Sequence, residues 1–249
     1  MSQPIVLITG GAGRLGRAAA RELTHRGWAV RSFDRLPSPI GESIVGSLHD
    51  LSLLMEATKD VRAVVHLAAT PDDDDFLTTL LPDNILGVHN ILEASRVGGV
   101  KRLLLASSGQ VNWWQQQNGP WPIHVTDEIS PRGWYAVTKV ALEAAGKIYA
   151  RNYDLTVIVA RLGWCPRTQD HMLELADSDR GPDVYLSSRD AGTFFAAAVE
   201  RNVSPGYHLT FATSRPQQNT IFDLEPTQQL LGWKPIDRWP ESADDDLNA

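Results

Sequence analysis

The sequence predicts an α/β protein built on a doubly wound parallel sheet, and three observations carry that prediction. Short apolar, β-branched runs alternate with amphipathic stretches along most of the chain. Glycines recur at 10, 13 and 16, directly after the first apolar run, in IVLITGGAGRLG (5–16). No cysteine pair or internal repeat points to another architecture, since Cys165 is the sole cysteine.

Ile5 to Ile8 suits a strand buried on both faces. Arg14 to Arg26 follows with Leu15, Ala18, Ala19 and Leu23 on one helical face. A strand, a glycine loop and a helix N-terminus in this order hold a dinucleotide pyrophosphate. The glycines leave room for phosphate, and the helix end offers unpaired N–H groups and a positive dipole. Trp28 to Phe33 forms a second strand ending at Asp34. An acid there can accept hydrogen bonds from both adenosine ribose hydroxyls and repels a 2′-phosphate. NAD is therefore expected over NADP, although Arg35 pulls the other way.

Ser43 to Gly46 is a short third strand, and Asp50 is placed to cap a helix over Leu51–Thr58. Val61 to Leu67 is the fourth strand, and the small pair Ala68-Ala69 after it lets a cofactor approach the backbone. Asp72 to Asp75 reads as a solvated loop and the negative first turn of the next helix. A cationic substrate or metal is the alternative partner, but no His or Cys accompanies the run, so no metal site is expected. That helix starts at Phe76 and reaches Ala94, with a break expected near Pro82.

Lys101 to Ala106 is the fifth strand and runs into Ser107-Ser108-Gly109-Gln110. Val111 to Gly133 reads as an irregular loop holding Trp113, Trp114 and Trp121. Its aromatics either stack on a flat substrate or plug the loop onto the core. Trp134 to Tyr153 is a long helix with Tyr135 and Lys139 on one face. Thr156 to Ala160 is the sixth strand, and helices are expected at Thr168–Ala176, Ala191–Glu200 and Pro226–Leu231. Tyr207–Phe211 is a late strand, and the acidic tail from Glu241 is expected to fray.

Charge and length narrow the function classes. The 249 residues form a real core and carry a net charge of −7, which disfavours nucleic acid and anionic membrane as partners. No apolar run reaches the roughly 18 residues of a membrane span. No signal peptide is expected, because the first strand opens within a few residues. Lone Cys165, read as a small buried hydrophobe, suits a reducing cytoplasm.

The strand ends would gather the glycine loop, Ala68-Ala69, Ser108 and Leu162–Cys165 at one crevice. There Tyr135 can take a proton from a substrate hydroxyl, Ser108 can hold that oxygen, and the substrate hydride can pass to a nicotinamide. A tyrosine ionises near pH ~10, so Lys139 and the cationic ring are expected to lower that value.

On TGGAGRLG (9–16), Asp34, HLAAT (66–70), NILGVHNILEAS (84–95), LLLASSGQV (103–111), YAVTK (135–139) and LGWKP (231–235), the chain resembles extended short-chain dehydrogenases/reductases of the NAD-dependent epimerase/dehydratase family. Within it, ASS (106–108), RLGWCP (161–166) and LGWKP are most similar to the uronate dehydrogenase branch. The resemblance implies a single Rossmann-type domain over 1–249 with a small C-terminal substrate-binding part. Pocket elements are expected mainly in 111–133, 162–185 and 205–240. It implies catalytic roles for Ser108, Tyr135 and Lys139, the last two also touching the cofactor. Further cofactor contacts would be Gly10, Gly13, Arg14, Leu15, Gly16, Asp34, Ser47, Leu48, Leu67, Ala68, Ala69, Asn84 and Leu162. Ser47 stands where many members carry an Asp.

Substrate positions depart from the branch. Its Ser-Asn-His after the fifth strand is Ser108-Gly109-Gln110 here, and its serines after strands four and six fall at Pro71 and Trp164. Its carboxylate-gripping arginine falls at about His171, which shapes the pocket with Gln110, Trp113 and Trp164 or is a plain surface histidine. Loss of that arginine implies weak binding of sugar acids. The expected function is an NAD-dependent oxidoreductase acting on a hydroxyl of a sugar or polyol. The alternatives are a sugar epimerase and a non-catalytic dinucleotide sensor. The family resemblance also implies a homo-oligomer.

Overall fold

The computed structural model describes residues 3–241; the acidic tail beyond Glu241 lies outside them. Seven strands form one sheet: β1 Ile5–Thr9, β2 Ala29–Asp34, β3 Glu42–Val45, β4 Val61–His66, β5 Arg102–Ser108, β6 Thr156–Leu162 and β7 Gly206–Ala212. Their order is β3-β2-β1-β4-β5-β6-β7, and every neighbouring pair is parallel. The order reverses at β1, so connections leave toward both sides and a crevice opens at the strands' C-terminal ends.

The connections are α1 Arg14–His25, α2 Leu51–Ala57, a π-helical segment Phe76–Leu86 running into α3 Gly87–Val97, α4 Trp113–Asn118, α5 Trp134–Asn152, α6 Gln169–Asp177, α7 Gly181–Val184, α8 Ser188–Glu200 and α9 Glu225–Leu231. Side chains alternate along β1. Val6 and Ile8 pack on Ala19 and Leu23 of α1 and Phe194 and Phe195 of α8. Leu7 faces the opposite layer, with Leu54 of α2, Ile91 of α3 and Leu142 of α5. Burial on both faces is what the unbroken run Ile5–Ile8 requires. Asp50 caps α2 as expected, accepting from the Leu53 N–H at 2.9 Å.

Three local expectations are corrected. The chain does not break at Pro82 but widens into a π-helix around it. A proline lacks an N–H and clashes with the carbonyl four residues back, and the wider turn, with Leu80 N–H on Asp75 O and Gly87 N–H on Pro82 O, relieves both problems. The stretch 111–133 is not wholly irregular: a 3₁₀ turn at Gly109–Asn112 leads into α4. Finally α7, a single turn, was not foreseen.

A smaller apolar cluster of Ile123, Val184, Phe211, Ile221 and Phe222, with Trp121 and Trp164 against it, covers the β6–β7 side. Phe211 and Phe222 stack with centroids 4.4 Å apart. Trp121 is therefore one of the aromatics that pins the long loop to the core.

Behind the end of β5 lies a buried ionic cluster. Arg161 of β6 donates twice to Glu143 of α5, each bond 2.8 Å, and once to Asn112 at 2.8 Å. Ser107 donates to the same carboxylate at 2.6 Å. Removing one partner strands the other charge in the interior. Glu143→Ala is expected to cost about 3–5 kcal/mol in urea unfolding; a loss below about 1 kcal/mol would contradict this account of the cluster.

Thr9 and His66, at the adjoining ends of β1 and β4, share a buried hydrogen bond of 2.7 Å. Burial, with the Lys139 charge adding to it, lowers the His66 pKa to about 3. Between pH 3 and the ordinary histidine value the unfolded chain binds a proton that the folded one refuses, so stability rises with pH across that window. His66→Gln is expected to shrink the gain in unfolding free energy between pH 4 and pH 7. An unchanged slope would refute the assignment.

Candidate active site

A cavity of about 690 Å³ occupies the crevice where the strand order reverses. The glycine loop forms one end. Gly10 has φ +74°, and a Cβ there would stand 2.8 Å from the Ala68 amide nitrogen. The residue must therefore be glycine for the loop to lie against the end of β4. Gly13, Arg14, Leu15 and Gly16 line the same end. Gly13 caps α1 with no side-chain hydrogen bond, and no acidic residue stands in the first turn. The terminus thus presents its N–H groups and positive dipole end to an anion in the cavity.

Asp34 stands at the rim. Its carboxylate accepts from Ala12 N–H at 3.0 Å and Leu36 N–H at 3.1 Å, which fixes its orientation while leaving lone pairs for a ligand. Ser47, Leu48, Leu67, Ala68, Ala69 and Leu162 complete the walls. These residues fit a dinucleotide: an uncapped helix end for the pyrophosphate, a fixed acid for a ribose and small residues for close approach. Asn84 is the exception. It is buried outside the cavity wall, with its amide oxygen on Thr70 N–H at 2.8 Å and its amide nitrogen on Thr70 O at 3.0 Å and Thr138 Oγ1 at 3.3 Å. Its hydrogen bonds run to Thr70 and Thr138, and so it shapes the Thr70 loop.

Ser108, Tyr135 and Lys139 converge on the cavity. One helical turn separates Tyr135 from Lys139, so α5 presents both on one face. The Lys139 ammonium donates to Ala106 O at 3.0 Å and lies 5.4 Å from the Tyr135 ring centroid. Burial lowers its pKa to about 8. Ser108 shares a hydrogen bond with the Tyr135 phenol. The phenol itself is pushed upward, first by burial and then by the Asp72 charge, against the opposing pull of Ser108 and Arg167. The downward shift expected from Lys139 is therefore not supplied by the protein's own groups.

Pro71, Gly109, Gln110, Trp113, Trp164 and His171 all line the cavity. Trp113 carries the Arg132 guanidinium 4.5 Å above its ring. Cys165 also faces the cavity; it is half-buried and packs against the core beside the β1 face. The long loop thus divides its tryptophans: Trp113 faces the cavity, Trp121 packs and Trp114 is exposed. From 205–240 only Phe222 reaches the lining, so the pocket elements lie mainly in the two earlier segments.

Sequence reasoning missed three cations in this wall. Arg132, Arg167 and Arg180 line the cavity. Arg180 stacks 4.4 Å from the Trp121 ring, and its Nε is buried with no hydrogen-bond partner among the described residues. Transfer by position pointed to His171, but α6 carries His171 and then returns the chain so that Arg180 reaches the same cavity. Asp72 lies in an exposed loop, as expected, and pairs there with Arg167 at 2.5 Å.

Residues 6–164 match the family model described as the NAD dependent epimerase/dehydratase family. The chain is 28% identical over 247 residues to L-arabinose 1-dehydrogenase (NAD(P)(+)) of Haloferax volcanii, covering 93% of this chain and 96% of that protein. It is likewise 28% identical over 262 residues to NAD-dependent glucose-6-phosphate dehydrogenase of the same organism, covering 97% and 96%. Among solved structures, uronate dehydrogenase from Agrobacterium tumefaciens shares the fold, with a TM-score of 0.79 at 23% identity over 100% of this chain and 90% of that one. With the glycine loop, Asp34 and the Ser108–Tyr135–Lys139 group at one crevice, the chain belongs to the NAD-dependent epimerase/dehydratase family.

Proposed function

We propose that the protein is an NAD-dependent dehydrogenase that oxidises a hydroxyl of a sugar or sugar-like substrate. The convergence of Ser108, Tyr135 and Lys139 beside the glycine loop carries this reading. Ser108 holds the substrate oxygen, and Tyr135 accepts its proton as the C–H bond breaks. Bound NAD⁺ supplies the hydride-accepting ring and the positive charge that tips Tyr135 toward phenolate. Lys139, with its pKa near 8, stays an ammonium at neutral pH and holds the α5 face against Ala106. The relatives' names, arabinose, glucose-6-phosphate and uronate dehydrogenases, support a sugar substrate.

The buried, unpartnered Nε of Arg180 favours sugars that carry a carboxylate or phosphate, because a planar guanidinium pairs with such groups. A panel of neutral sugars, sugar acids and sugar phosphates, followed by cofactor reduction, tests this. NAD is expected to be reduced faster than NADP, as Asp34 implies. Tyr135→Phe is expected to lose about 10²-fold or more in kcat. No net NADH from any member would favour the epimerase; cellular function surviving Tyr135→Phe would favour the sensor.

The single chain works as one domain, with its substrate elements in 111–133 and 162–185. Among the described residues no helix is long and apolar enough to cross a membrane, and the lone cysteine suits the cytoplasm. It acts as a homo-oligomer. Leu77 and Leu81 on the π-helix and Trp134, Val137 and Ile148 on α5 leave apolar side chains exposed on neighbouring helices. Light scattering is expected to give at least twice the mass of one chain, and Val137→Asp to lower it. A monomer at micromolar concentration would refute this assembly.

A further inference from the structure

The acidic run Asp72–Asp75 is the sequence feature that the proposed reaction does not use. Asp75 caps the π-helix through Thr78 N–H at 2.8 Å. Asp73 reaches across the fold instead. Its Oδ1 accepts from the backbone N–H of Tyr135 at 2.7 Å.

That bond falls where α5 has no cap of its own. Gly133, the N-cap residue, offers no side chain, so the first-turn N–H groups need a partner from elsewhere. Gly133 also makes the approach possible, because a Cβ there would stand 2.1 Å from Asp73 Oδ2. The Tyr135 carbonyl is held as well. It accepts from Thr138 Oγ1 at 2.7 Å, and Asn84, bonded at both ends to Thr70, donates to that same hydroxyl at 3.3 Å. Asp73 of the loop after β4 therefore holds the Tyr135 N–H directly, while the carbonyl is held by Thr138 of the same helix, itself met by Asn84 of the π-helical segment. Asp72, next to Asp73, has φ +64° and is tied to Arg167 and Gln110, both in the cavity wall. Lys139 is anchored independently, one turn deeper, on Ala106.

We propose that Asp73 is a positioning residue for Tyr135: it caps α5 from the loop after β4 and so sets the phenol at the substrate hydroxyl. The inference rests on the dehydrogenase reading above. Tyr135 lies in the first turn, where an uncapped helix frays, whereas Lys139 and the glycine loop lie beyond the reach of that fraying. Loss of the cap therefore lowers kcat and leaves cofactor binding alone. Asparagine caps as well as aspartate does, so the hydrogen bond, not the charge, carries the effect.

The test compares wild type, Asp73→Ala, Asp73→Asn and Gly133→Ala in the full chain. Asp73→Ala is expected to lower kcat about fivefold to thirtyfold, the equivalent of a lost cap, with the NAD dissociation constant within about twofold of wild type. Asp73→Asn is expected to recover most of the rate. Gly133→Ala, which displaces the carboxylate, is expected to match Asp73→Ala, and the double variant to be no worse than either single one. Hydrogen exchange gives a readout that needs no substrate: protection of the Tyr135 amide falls in Asp73→Ala and returns in Asp73→Asn, while the C-terminal turns of α5 keep theirs. Wild-type kcat in Asp73→Ala, or equal impairment in Asp73→Asn, overturns the proposal. Absence of sugar oxidation by the wild type overturns the dehydrogenase reading alone, and the exchange result still decides whether Asp73 holds Tyr135.

Discussion

Everything at the site depends on one constraint of the sheet. All seven strands are parallel, so their C-terminal ends share one edge, and every loop that leaves that edge reaches the same space. The order reverses at β1, with β2 on one side and β4 on the other. The connections that leave the reversal on its two sides, α1 from β1 to β2 and α3 from β4 to β5, pack on opposite faces and cannot fill the gap between them. The gap is the cavity. The glycine loop borders it because β1 ends there, and Ser108 and Tyr135 border it because β5 and α5 flank the same reversal.

Holding charge in the interior around that space is costly, and the protein offsets the cost in different ways. Arg161 and Glu143 satisfy each other, with Ser107 and Asn112 taking up remaining sites. His66 stays neutral. Lys139 remains ionisable near neutrality, with Ala106 O as its acceptor, and keeps a lowered pKa as the mark of burial. Strongly shifted groups of this kind, gathered in a cleft, are typical of catalytic sites. Here the shifts on Tyr135 and Lys139 run toward the neutral forms, so the protein by itself favours phenol, and a bound NAD⁺ would supply the positive charge that favours phenolate.

Local signals in the sequence were sufficient for much of the frame. The apolar run Ile5–Ile8, the Asp50 cap and the paired faces of α5 each express a preference written within a few residues of where it acts. Long-range contacts were not legible. Nothing near Asn84 shows that it bonds Thr70 and Thr138. Nothing near Arg180 shows that α6 turns the chain back to the cavity. The wide turn at Pro82 depends on a proline whose usual reading is a stop, yet the flanking apolar contacts keep the helix together. The acidic run was legible as a cap for the helix that follows it, while its second partner, 62 residues away, was not.

The two halves of the cavity are consequently fixed by different means. The cofactor half is built from backbone: a helix end, glycine packing and an acid held by two N–H groups. Such a surface changes little when side chains change, which is why its motifs could be read directly. The substrate half is built from side chains on loops, with Trp113 and Trp121 carrying Arg132 and Arg180, and Arg167 tied to Asp72. Each of those contacts depends on loop length as much as on residue type. Pro71, Gln110, Trp113, Trp164 and His171 all reach the wall, yet their sequence neighbourhoods do not show which cations stand beside them. Tyr135 sits at the seam. Its side chain faces the cavity, and its backbone N–H is held by Asp73, next to the Asp72 that meets the substrate wall through Arg167.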